Sequence, residues 1–309
     1  MASCATDYVV PSKQLKDYGY PSDFNNSTAY IEPKSGFNNT SIQPLNIGVY
    51  DPCTFASNQI TLRNCCRCRG QFFVNSNGDY LSLDPCVYHW GKLSGSGKEN
   101  KDLMFSCCNG PSYTPGCTLG RLHVSLGATS GYLSGFVSTK PAKNIPKDDF
   151  YGIYAVDCEM CYTTQGLDLV KVSLVRPDGS VAYDELVKPV HPIIDYNTRF
   201  SGMTEKKLRR ATKSLKEVQK DLLELVHAET ILIGHSLEND LRVLRLAHST
   251  VVDTSVLFPH FHGLPFRRSL KSLISCVFKK DIQSCVHNSV EDARASLELV
   301  LWRLRKDLK

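Results

Sequence analysis

The sequence predicts a mixed α/β domain over residues 151–309, with a small module rich in Cys and His in front of it over residues 56–138. Three consecutive apolar runs, GIYAVDCEM, LDLVKVSLV and SVAYDELVKP, are typical of a strand meander. Strand-like runs then alternate with amphipathic helical segments, which is the pattern of a mixed sheet packed by helices. Cysteine usage divides the chain in the same way, because nine of the 13 cysteines precede residue 151.

The remaining elements of this domain follow in order from residue 204. Helix is predicted around TEKKLRRATKSLKEVQKDLLELV, where Leu215, Val218 and Leu222 repeat at helical spacing. The strand ETILIGHS leads into the helix SLENDLRVLRLAH. The short strand VVD, the helix RRSLKSLISCVF and a long terminal helix from about 289 to 307 complete the domain.

The region before residue 151 differs from the C-terminal domain in composition. Residues 1–55 are rich in Asn, Ser, Tyr and Pro and predict a polar arm with one short helix, SKQLKDYGYP. In residues 56–138, QFFV and DYLSL are strand candidates around the turn NSNG, and apolar residues are too few for a large core. Residues 139–150 predict a linker by their Pro, Lys and Asp content.

Composition excludes several classes of protein. With 42% hydrophobic and 22% charged residues, the chain can bury a core and is not wholly disordered. No apolar run approaches the ~20 residues of a membrane span, and no apolar segment of a signal peptide follows the first residues. The formal charge of +5 permits an anionic partner without requiring one.

Two carboxylates stand on the first strand of the predicted meander. Asp157 and Glu159 occupy alternate positions of YAVDCEM, so their side chains point to the same face. Their apolar flanks place them at the carboxyl end of a central strand, where open α/β sheets bind ligands. Two adjacent carboxylates repel each other unless a cation lies between them. The alternative is a solvated strand end.

Three further candidates stand at predicted helix starts. Asp240 lies in the first turn of the helix that follows TILIGH, where it could also serve only to compensate the helix dipole, as could Glu238. Asn288 or Ser289 can cap the terminal helix, with Glu291 or Asp292 at its third position, which places His287 just before the helix and Asp292 in its opening turn. His287 alone could equally be a surface loop residue.

In this fixed order, Asp157, Glu159, Asp240, His287 and Asp292 resemble the DEDDh group of 3′–5′ exonucleases in the ribonuclease T-like superfamily. Longer phrases are similar to the RNA exonuclease 1 family: YAVDCEMCYTTQGLDL, DYNTRFSGMTEKKL, ILIGHSLENDL, VVDTSVLFPH and HNSVEDA. The resemblance covers residues 151–309 and weakens towards the beginning of the chain. It implies a ribonuclease H-like exonuclease fold.

Four carboxylates and one His form an oxygen-rich set suited to hard divalent ions such as Mg²⁺ or Mn²⁺. The resemblance implies that Asp157 bridges two ions, that Glu159 and Asp292 complete one site, and that Asp240 holds the other. It also implies that His287 is the general base that activates water. Cys158 points to the opposite face of its strand and is expected in the core.

Thiol and imidazole groups cluster in residues 56–138. Eight of them would suffice for two tetrahedral Zn²⁺ sites, although one ion and a role for Cys66 in place of Cys65 remain open. The eight are Cys65, Cys68, Cys86, His89, Cys107, Cys108, Cys117 and His123. The alternative is a set of buried free thiols.

Part of this cluster resembles a known zinc module. CVYHWGKL and FSCCNGPSYTPGCTLGRLH are similar to the second half of a cysteine- and histidine-rich (CHORD) domain, with one extra residue between Cys117 and His123. The neighbouring aromatic residues are expected to pack within the module rather than to stack on bases. These are Phe72, Phe73, Tyr88 and Trp90.

A dense basic stretch follows the meander, and acidic residues interleave with it. It is either a solvated helix face or a track for the phosphates of a single-stranded substrate. Its members are Arg199, Lys206, Lys207, Arg209, Arg210, Lys213, Lys216 and Lys220.

The sequence therefore favours a metal-dependent 3′–5′ exonuclease that releases nucleoside 5′-monophosphates, with a zinc module in front. The resemblance implies single-stranded RNA as substrate and a nuclear location. Two other functions stay open: a DNA-directed 3′–5′ exonuclease, and a non-catalytic factor that binds RNA or protein through the zinc module.

Overall fold

The computed structural model describes residues 5–33, 43–44, 60–95, 103–147, 150–283 and 287–308. Much of the second half of the predicted arm lies outside these ranges. Among the described residues, no helix is long and apolar enough to span a membrane.

The elements of the first half of the chain are short. A 3-10 turn at Thr6–Tyr8 precedes the first helix, α1. The elements are α1 (Ser12–Leu15), β1 (Ser22–Asn25), β2 (Thr28–Ile31), β3 (Gln43–Pro44), β4 (Thr61–Asn64), β5 (Gln71–Val74), β6 (Cys86–Tyr88), β7 (Leu93–Ser94), β8 (Met104–Phe105), β9 (Thr118–Gly120), β10 (Gly131–Ser134) and β11 (Val137–Ser138).

The elements of the second half are longer and build the main core. They are β12 (Ile153–Thr163), β13 (Gly166–Val175), β14 (Val181–Leu186), β15 (Ile193–Asp195), α2 (Thr198–Ser201), α3 (Glu205–Leu208), α4 (Leu215–Leu225), β16 (Ile231–Gly234), α5 (Glu238–Leu244), β17 (Leu246–Ala247), β18 (Val251–Asp253), α6 (Thr254–Leu257), α7 (Leu270–Phe278) and α8 (Ser289–Asp307).

The central sheet has the order β14-β13-β12-β16-β18, and β15 pairs with the end of β12. The meander β12-β13-β14 is antiparallel, whereas β16 and β18 run parallel to β12. Parallel neighbours need helical crossovers, and the crossover helices α4 and α5 pack on one face, whereas α8 covers the other. The predicted mixed α/β fold with flanking helices is confirmed.

Apolar side chains fill both faces of the sheet. On one face, Ala155 and Ile233 pack with Ala293 and Leu297 of α8. On the other face, Val156 and Cys158 pack with the inner sides of α4 and α5. Cys158 is thus a core residue, as its position on the strand predicts. Because successive residues of β12 serve opposite faces, Asp157 and Glu159 project on the α8 side.

The helical residues predicted around 204–226 form two helices, α3 and α4. Ser214 caps α4, and its backbone N–H donates to the Glu217 carboxylate in a capping box. This reciprocal pairing satisfies the N–H groups at a helix start, so the chain begins a new helix at Leu215.

Residues 5–33 lie against the central sheet. The Val10 N–H donates to the Val251 carbonyl over 2.9 Å, which occupies the edge of β18. Tyr20 is fully buried, and its hydroxyl donates to Asp253 Oδ2 over 2.8 Å. Part of the predicted polar arm therefore belongs to the core.

The Cys/His module has a small core of Cys65, Phe72, Val74, Cys86 and Val124. The predicted strand QFFV is β5. DYLSL forms only a β-bridge, at Tyr80, and its Leu81 and Leu83 are 53% and 77% exposed.

Residues 131–138, which the sequence assigns to the module, pair with other parts of the chain. Strand β10 pairs with β2 of the arm, and β11 pairs with β17 of the C-terminal domain. These pairings tie the arm to the larger domain.

We expect Tyr20→Phe to lower the free energy of unfolding by about 1.5–3 kcal/mol, because the variant removes a buried hydrogen bond to a carboxylate. Urea denaturation measures this change. Tyr113→Phe is the matched control, since Tyr113 is 85% exposed. Equal stability of the two variants would contradict a structural role for the Tyr20 hydroxyl.

Candidate active site and metal centres

The structure places Asp157 and Glu159 side by side on β12, opposite Ser173 and Lys171 of β13. They lie in the middle of β12 and not at its carboxyl end as predicted, because the strand continues to Thr163 in its pairing with β13. The pairing of β12 with β13 shifts register directly after Glu159. Such irregularities re-aim side chains and are common beside active sites. The Glu159 side chain is enclosed, and the residue is only 5% exposed.

Asp240 reaches β12 from the first turn of α5. Its Oδ1 accepts a hydrogen bond from the Cys158 N–H over 2.9 Å. Asp253 holds the loop before α5, because it accepts hydrogen bonds from the backbone N–H groups of Ser236 and Leu237 over 2.9 and 3.2 Å. Asp240 is thereby fixed to the strand that carries the other two carboxyl groups.

Asp292 and His287 meet at the start of α8. Asn288 caps this helix by accepting from the Val290 N–H, as the sequence predicts. The Nδ1 atom of His287 lies 3.3 Å from Asp292 Oδ2, which also accepts from Gln283 Nε2 over 2.8 Å. The His287 side chain is 36% exposed, whereas that of Asp292 is 3% exposed.

These carboxyl groups perturb one another. Burial raises the pKa of Asp157 well above its ordinary value, and the charges of Asp240, Asp292 and Glu159 raise it further. Burial and the charge of Asp292 raise the pKa of Glu159 to about 8. Burial and the charge of Glu238 raise the pKa of Asp240. The four groups therefore form one electrostatic cluster.

Two oxygens of this cluster are buried without a hydrogen-bond partner among the described residues, namely Glu159 Oε1 and Asp292 Oδ1. Buried polar atoms are rarely left unpaired, so each orphaned oxygen points to a missing partner. Carboxylate oxygens are the preferred ligands of hard divalent cations. The residues present fit a divalent metal ion.

Sequence reasoning missed the residues that support this cluster. The positive charge of Lys171 partly offsets the rise in the pKa of Asp157 and of Glu159. Its Nζ also pairs with Asp184 Oδ1 over 2.9 Å. Glu238, which the sequence offers as an alternative to Asp240, instead pairs with Arg267 over 2.9 Å. The register of β12 with β13 could have indicated Lys171, whereas no local signal indicates Arg267.

The structure brings the eight thiol and imidazole candidates together in two groups of four. Within each group, the ligand atoms lie within 4.8 Å of one another, and either group could hold a metal ion. The first cluster is Cys65, Cys68, Cys86 and His123, and the second cluster is His89, Cys107, Cys108 and Cys117. Cys66 belongs to neither, since its thiol faces the Tyr162 hydroxyl at 3.5 Å.

Backbone groups support both clusters. The N–H groups of Arg67 and Gly70 lie 3.4 Å from the sulfurs of Cys65 and Cys68. Burial acts to raise the pKa of the Cys65 thiol, but hydrogen bonds from the backbone outweigh it and lower that pKa to about 6. His89 Nε2 lies 3.0 Å from the Thr114 carbonyl, which leaves Nδ1 facing the sulfurs as a ligand would.

The expectation about aromatic residues holds for two of the four. Phe72 and Tyr88 pack in the module core, whereas Phe73 is 38% exposed. Trp90 lies against the C-terminal domain, where its ring contacts Arg199 and Phe200. The expectation for Trp90 is wrong, because its partners are far away in sequence.

The basic stretch is partly neutralised. Arg209 pairs with Glu205 over 2.6 Å, and Lys213 pairs with Asp221 over 2.6 Å. The exposed pair of Arg209 with Glu205 is typical of a solvated helix face, whereas Lys213 lies between α3 and α4 in a β-bridge with Val187. Arg199 is different, since it stacks on Trp90.

Residues 155–300 match the family model described as an exonuclease (RNase_T). These residues form an exonuclease (RNase_T) domain. All five candidate residues, Asp157, Glu159, Asp240, His287 and Asp292, lie in this exonuclease domain. The resemblance noted from the sequence is confirmed.

Similar proteins share this domain. RNA exonuclease 1 homolog of Homo sapiens is 41% identical over 310 residues, which are 98% of this chain and 24% of that protein. RNA exonuclease 1 of Saccharomyces cerevisiae is 54% identical over 157 residues, which are 50% of this chain and 28% of that protein. The chain thus spans about a quarter of the length of these relatives. Among solved structures, the Pan2 catalytic unit of Neurospora crassa is similar, with a TM-score of 0.46 and 17% sequence identity. The match covers 97% of this chain and 54% of the Pan2 chain.

The raised pKa of Glu159 predicts how the metal-free exonuclease domain responds to pH. Between its ordinary value of 4.5 and about 8, the folded protein keeps a proton that the unfolded chain loses. Stability therefore falls as the pH rises through this window. We expect Glu159→Gln to raise the Tm of the metal-free protein at pH 8.5 by at least about 2 °C and to change it little at pH 4.5.

Thermal unfolding in chelator at both pH values measures this difference. Mg²⁺ or Mn²⁺ should stabilise the wild type more than the variant at pH 8.5, because the ions compensate the charge that Glu159 carries. Glu224→Gln, on the exposed side of α4, is the matched control. An equal gain in Tm at both pH values would contradict the buried, charge-coupled environment of Glu159.

Proposed function

We propose that this chain is a metal-dependent 3′–5′ exoribonuclease that releases nucleoside 5′-monophosphates from RNA 3′ ends. The observation that carries the proposal is the convergence of four carboxyl groups beside His287 at the middle of β12. Membership of the exonuclease family supports hydrolysis of phosphodiesters. The names of the relatives, RNA exonuclease 1 in each case, support RNA over DNA.

Asp157, Glu159, Asp240 and Asp292 would hold the divalent ions. When bound, two such ions stabilise the attacking and leaving oxygens of a phosphodiester and lower the pKa of a bound water. The orphaned oxygens of Glu159 and Asp292 support this assignment. Mg²⁺ and Mn²⁺ are proposed because all four ligands are hard oxygen donors.

His287 would act as the general base. Its Nδ1 faces Asp292 Oδ2, so this carboxylate orients the ring and leaves Nε2 to accept a proton. Nε2 takes the proton of the attacking water as the oxygen bonds to phosphorus. The bond from phosphorus to the 3′ oxygen of the preceding nucleotide then breaks, and solvent protonates that oxygen. The products are a nucleoside 5′-monophosphate and an RNA shortened by one residue.

The rival functions make different predictions. A DNA-directed exonuclease would degrade single-stranded DNA faster than RNA, and a binding factor would degrade neither. The presence of all five candidate residues supports catalysis. A nuclear location remains a proposal from family resemblance.

Asp157→Asn should abolish hydrolysis, because it removes an anionic ligand while keeping the volume of the side chain. Digestion of labelled single-stranded RNA and DNA, with and without Mg²⁺, measures the activity. Asp178→Asn, in the exposed turn after β13, should retain wild-type turnover. Near wild-type turnover by Asp157→Asn with Mg²⁺ would overturn the proposed function.

His287→Ala should reduce the rate about 10²- to 10⁴-fold, as expected when a general base is lost. Metal affinity should change little, since the carboxyl groups remain. His191→Ala is the matched control, because His191 also lies 3.3 Å from a carboxylate, that of Asp168, outside the cluster. A parallel collapse of metal affinity would make His287 a ligand instead.

We further propose that each Cys/His cluster holds one structural Zn²⁺. The sulfurs of Cys65 and Cys86 lie 3.7 Å apart, and those of Cys107 and Cys117 lie 3.5 Å apart. Tetrahedral Zn²⁺ with bonds to sulfur of about 2.3 Å places its ligands roughly 3.8 Å apart. The small hydrophobic core of the module also supports bound Zn²⁺, because small domains with little core depend on a structural metal for stability.

Elemental analysis of protein purified without added metal should give about two Zn²⁺ per chain. Cys86→Ser should lose one ion, whereas Cys66→Ser should keep both, since Cys66 lies outside the clusters. A strong chelator at mildly acidic pH should unfold the module first, because metal loss and ligand protonation are coupled. Less than about one Zn²⁺ in the wild type would show that the cysteines are free thiols.

A further inference from the structure

Trp90 of the Cys/His module connects that module to the candidate active site. The guanidinium carbon of Arg199 lies 4.2 Å from the centroid of the Trp90 ring. The Phe200 ring lies 6.5 Å from Trp90, and the His287 ring lies 6.2 Å from Phe200, both in edge contacts. Trp90, Arg199 and Phe200 therefore form a continuous surface that ends at His287, which we call the Trp90–Arg199 surface.

The N–H groups of the Arg199 guanidinium are available to bind a ligand. Arg199 is exposed, and within the described residues it makes no ion pair or hydrogen bond. Arg209 and Lys213 of the same basic stretch are paired with carboxylates. A guanidinium that is stacked on an indole ring is held by a cation–π interaction while its N–H groups remain free for an anion. Phosphate oxygens suit this planar set of donors.

The module also braces the loop that carries Arg199. Arg67 Nη1 pairs with Asp195 Oδ2 over 2.7 Å, and the other oxygen of Asp195 accepts from the Asn197 N–H over 2.7 Å. Asn197 begins α2, whose second residue is Arg199. Because the Arg67 N–H also contacts the Cys65 sulfur, the first cluster is attached to the same loop.

We propose that the Trp90–Arg199 surface is a binding subsite for a backbone phosphate of RNA close to the bond that is cleaved. Arg199 binds the phosphate, and Trp90 is a positioning residue that holds the guanidinium. This inference rests on the proposed function. It gives the Cys/His module a direct part in substrate binding, in addition to its own stability.

Binding of a labelled single-stranded oligoribonucleotide to the inactive Asp157→Asn protein tests the subsite without turnover. Adding Arg199→Ala to the Asp157→Asn protein should weaken its affinity for the oligoribonucleotide about 10-fold, as for the loss of a charge-assisted hydrogen bond. It should also reduce the slope of log K against log salt concentration by about 0.7, as for one phosphate contact with a single strand. Lys306→Ala is the matched control, since Lys306 stacks on the chain's other tryptophan, Trp302, on α8. It should change neither quantity.

Steady-state kinetics of the otherwise wild-type enzyme test the role of Trp90. Trp90→Ala should raise KM about as much as Arg199→Ala, with kcat within about 3-fold of wild type, and the double variant should be no worse than Arg199→Ala. Trp90→Phe should restore KM to within about 3-fold of wild type, because an aromatic face remains. Zinc content should equal that of the wild type in the Arg199 variants, which leave the module unchanged.

The outcomes separate the two proposals. Failure of the wild type to degrade RNA would overturn the proposed function. An active wild type with unchanged KM, affinity and salt slope in Arg199→Ala would overturn the subsite alone. Additive effects of Trp90→Ala and Arg199→Ala, with no rescue by Trp90→Phe, would overturn the positioning role of Trp90.

Discussion

Electrostatic repulsion among four carboxyl groups, three of them in buried residues, is the constraint on which the architecture of the C-terminal domain depends. Glu159, Asp240 and Asp292 are at most 5% exposed, so water cannot screen their charges. Such a cluster is stable only with bound cations or bound protons. The apolar layers on both faces of β12 hold the backbone in place against this repulsion, and the N-terminal dipoles of α5 and α8 favour the negative charges of Asp240 and Asp292.

The Cys/His module also gathers polar side chains, but with different chemistry. Its core contains few large side chains, and two groups of four soft ligands stand where a larger core would otherwise be needed. The proposed ions would separate by ligand type, since the module offers sulfur and imidazole and the exonuclease domain offers oxygen. The module is not an independent appendage, because Arg67 and Trp90 both contact the larger domain.

Local pattern in the sequence predicts the main strands and helices of residues 151–309 and the candidate ligands. The spacing of Asp157 and Glu159 on a strand indicated their common face, and the cap at Asn288 indicated the start of α8. The eight metal-ligand candidates were found by spacing, but their division into two clusters was not. Contacts between distant segments carry no local signal. Tyr20 with Asp253, Arg267 with Glu238, and Trp90 with Arg199 are therefore known only from the structure.

The hydrogen bond from Tyr20 to Asp253 joins residues 233 positions apart in the chain. During synthesis, Tyr20 leaves the ribosome long before the strand that accepts it exists. Until β18 emerges, the apolar side of residues 5–20 has no edge to cover and is exposed to other chains. Folding is also slowed by the loop-closure entropy of such non-local contacts. The apolar side chains of this segment can therefore reach their native partners only after β18 has been translated.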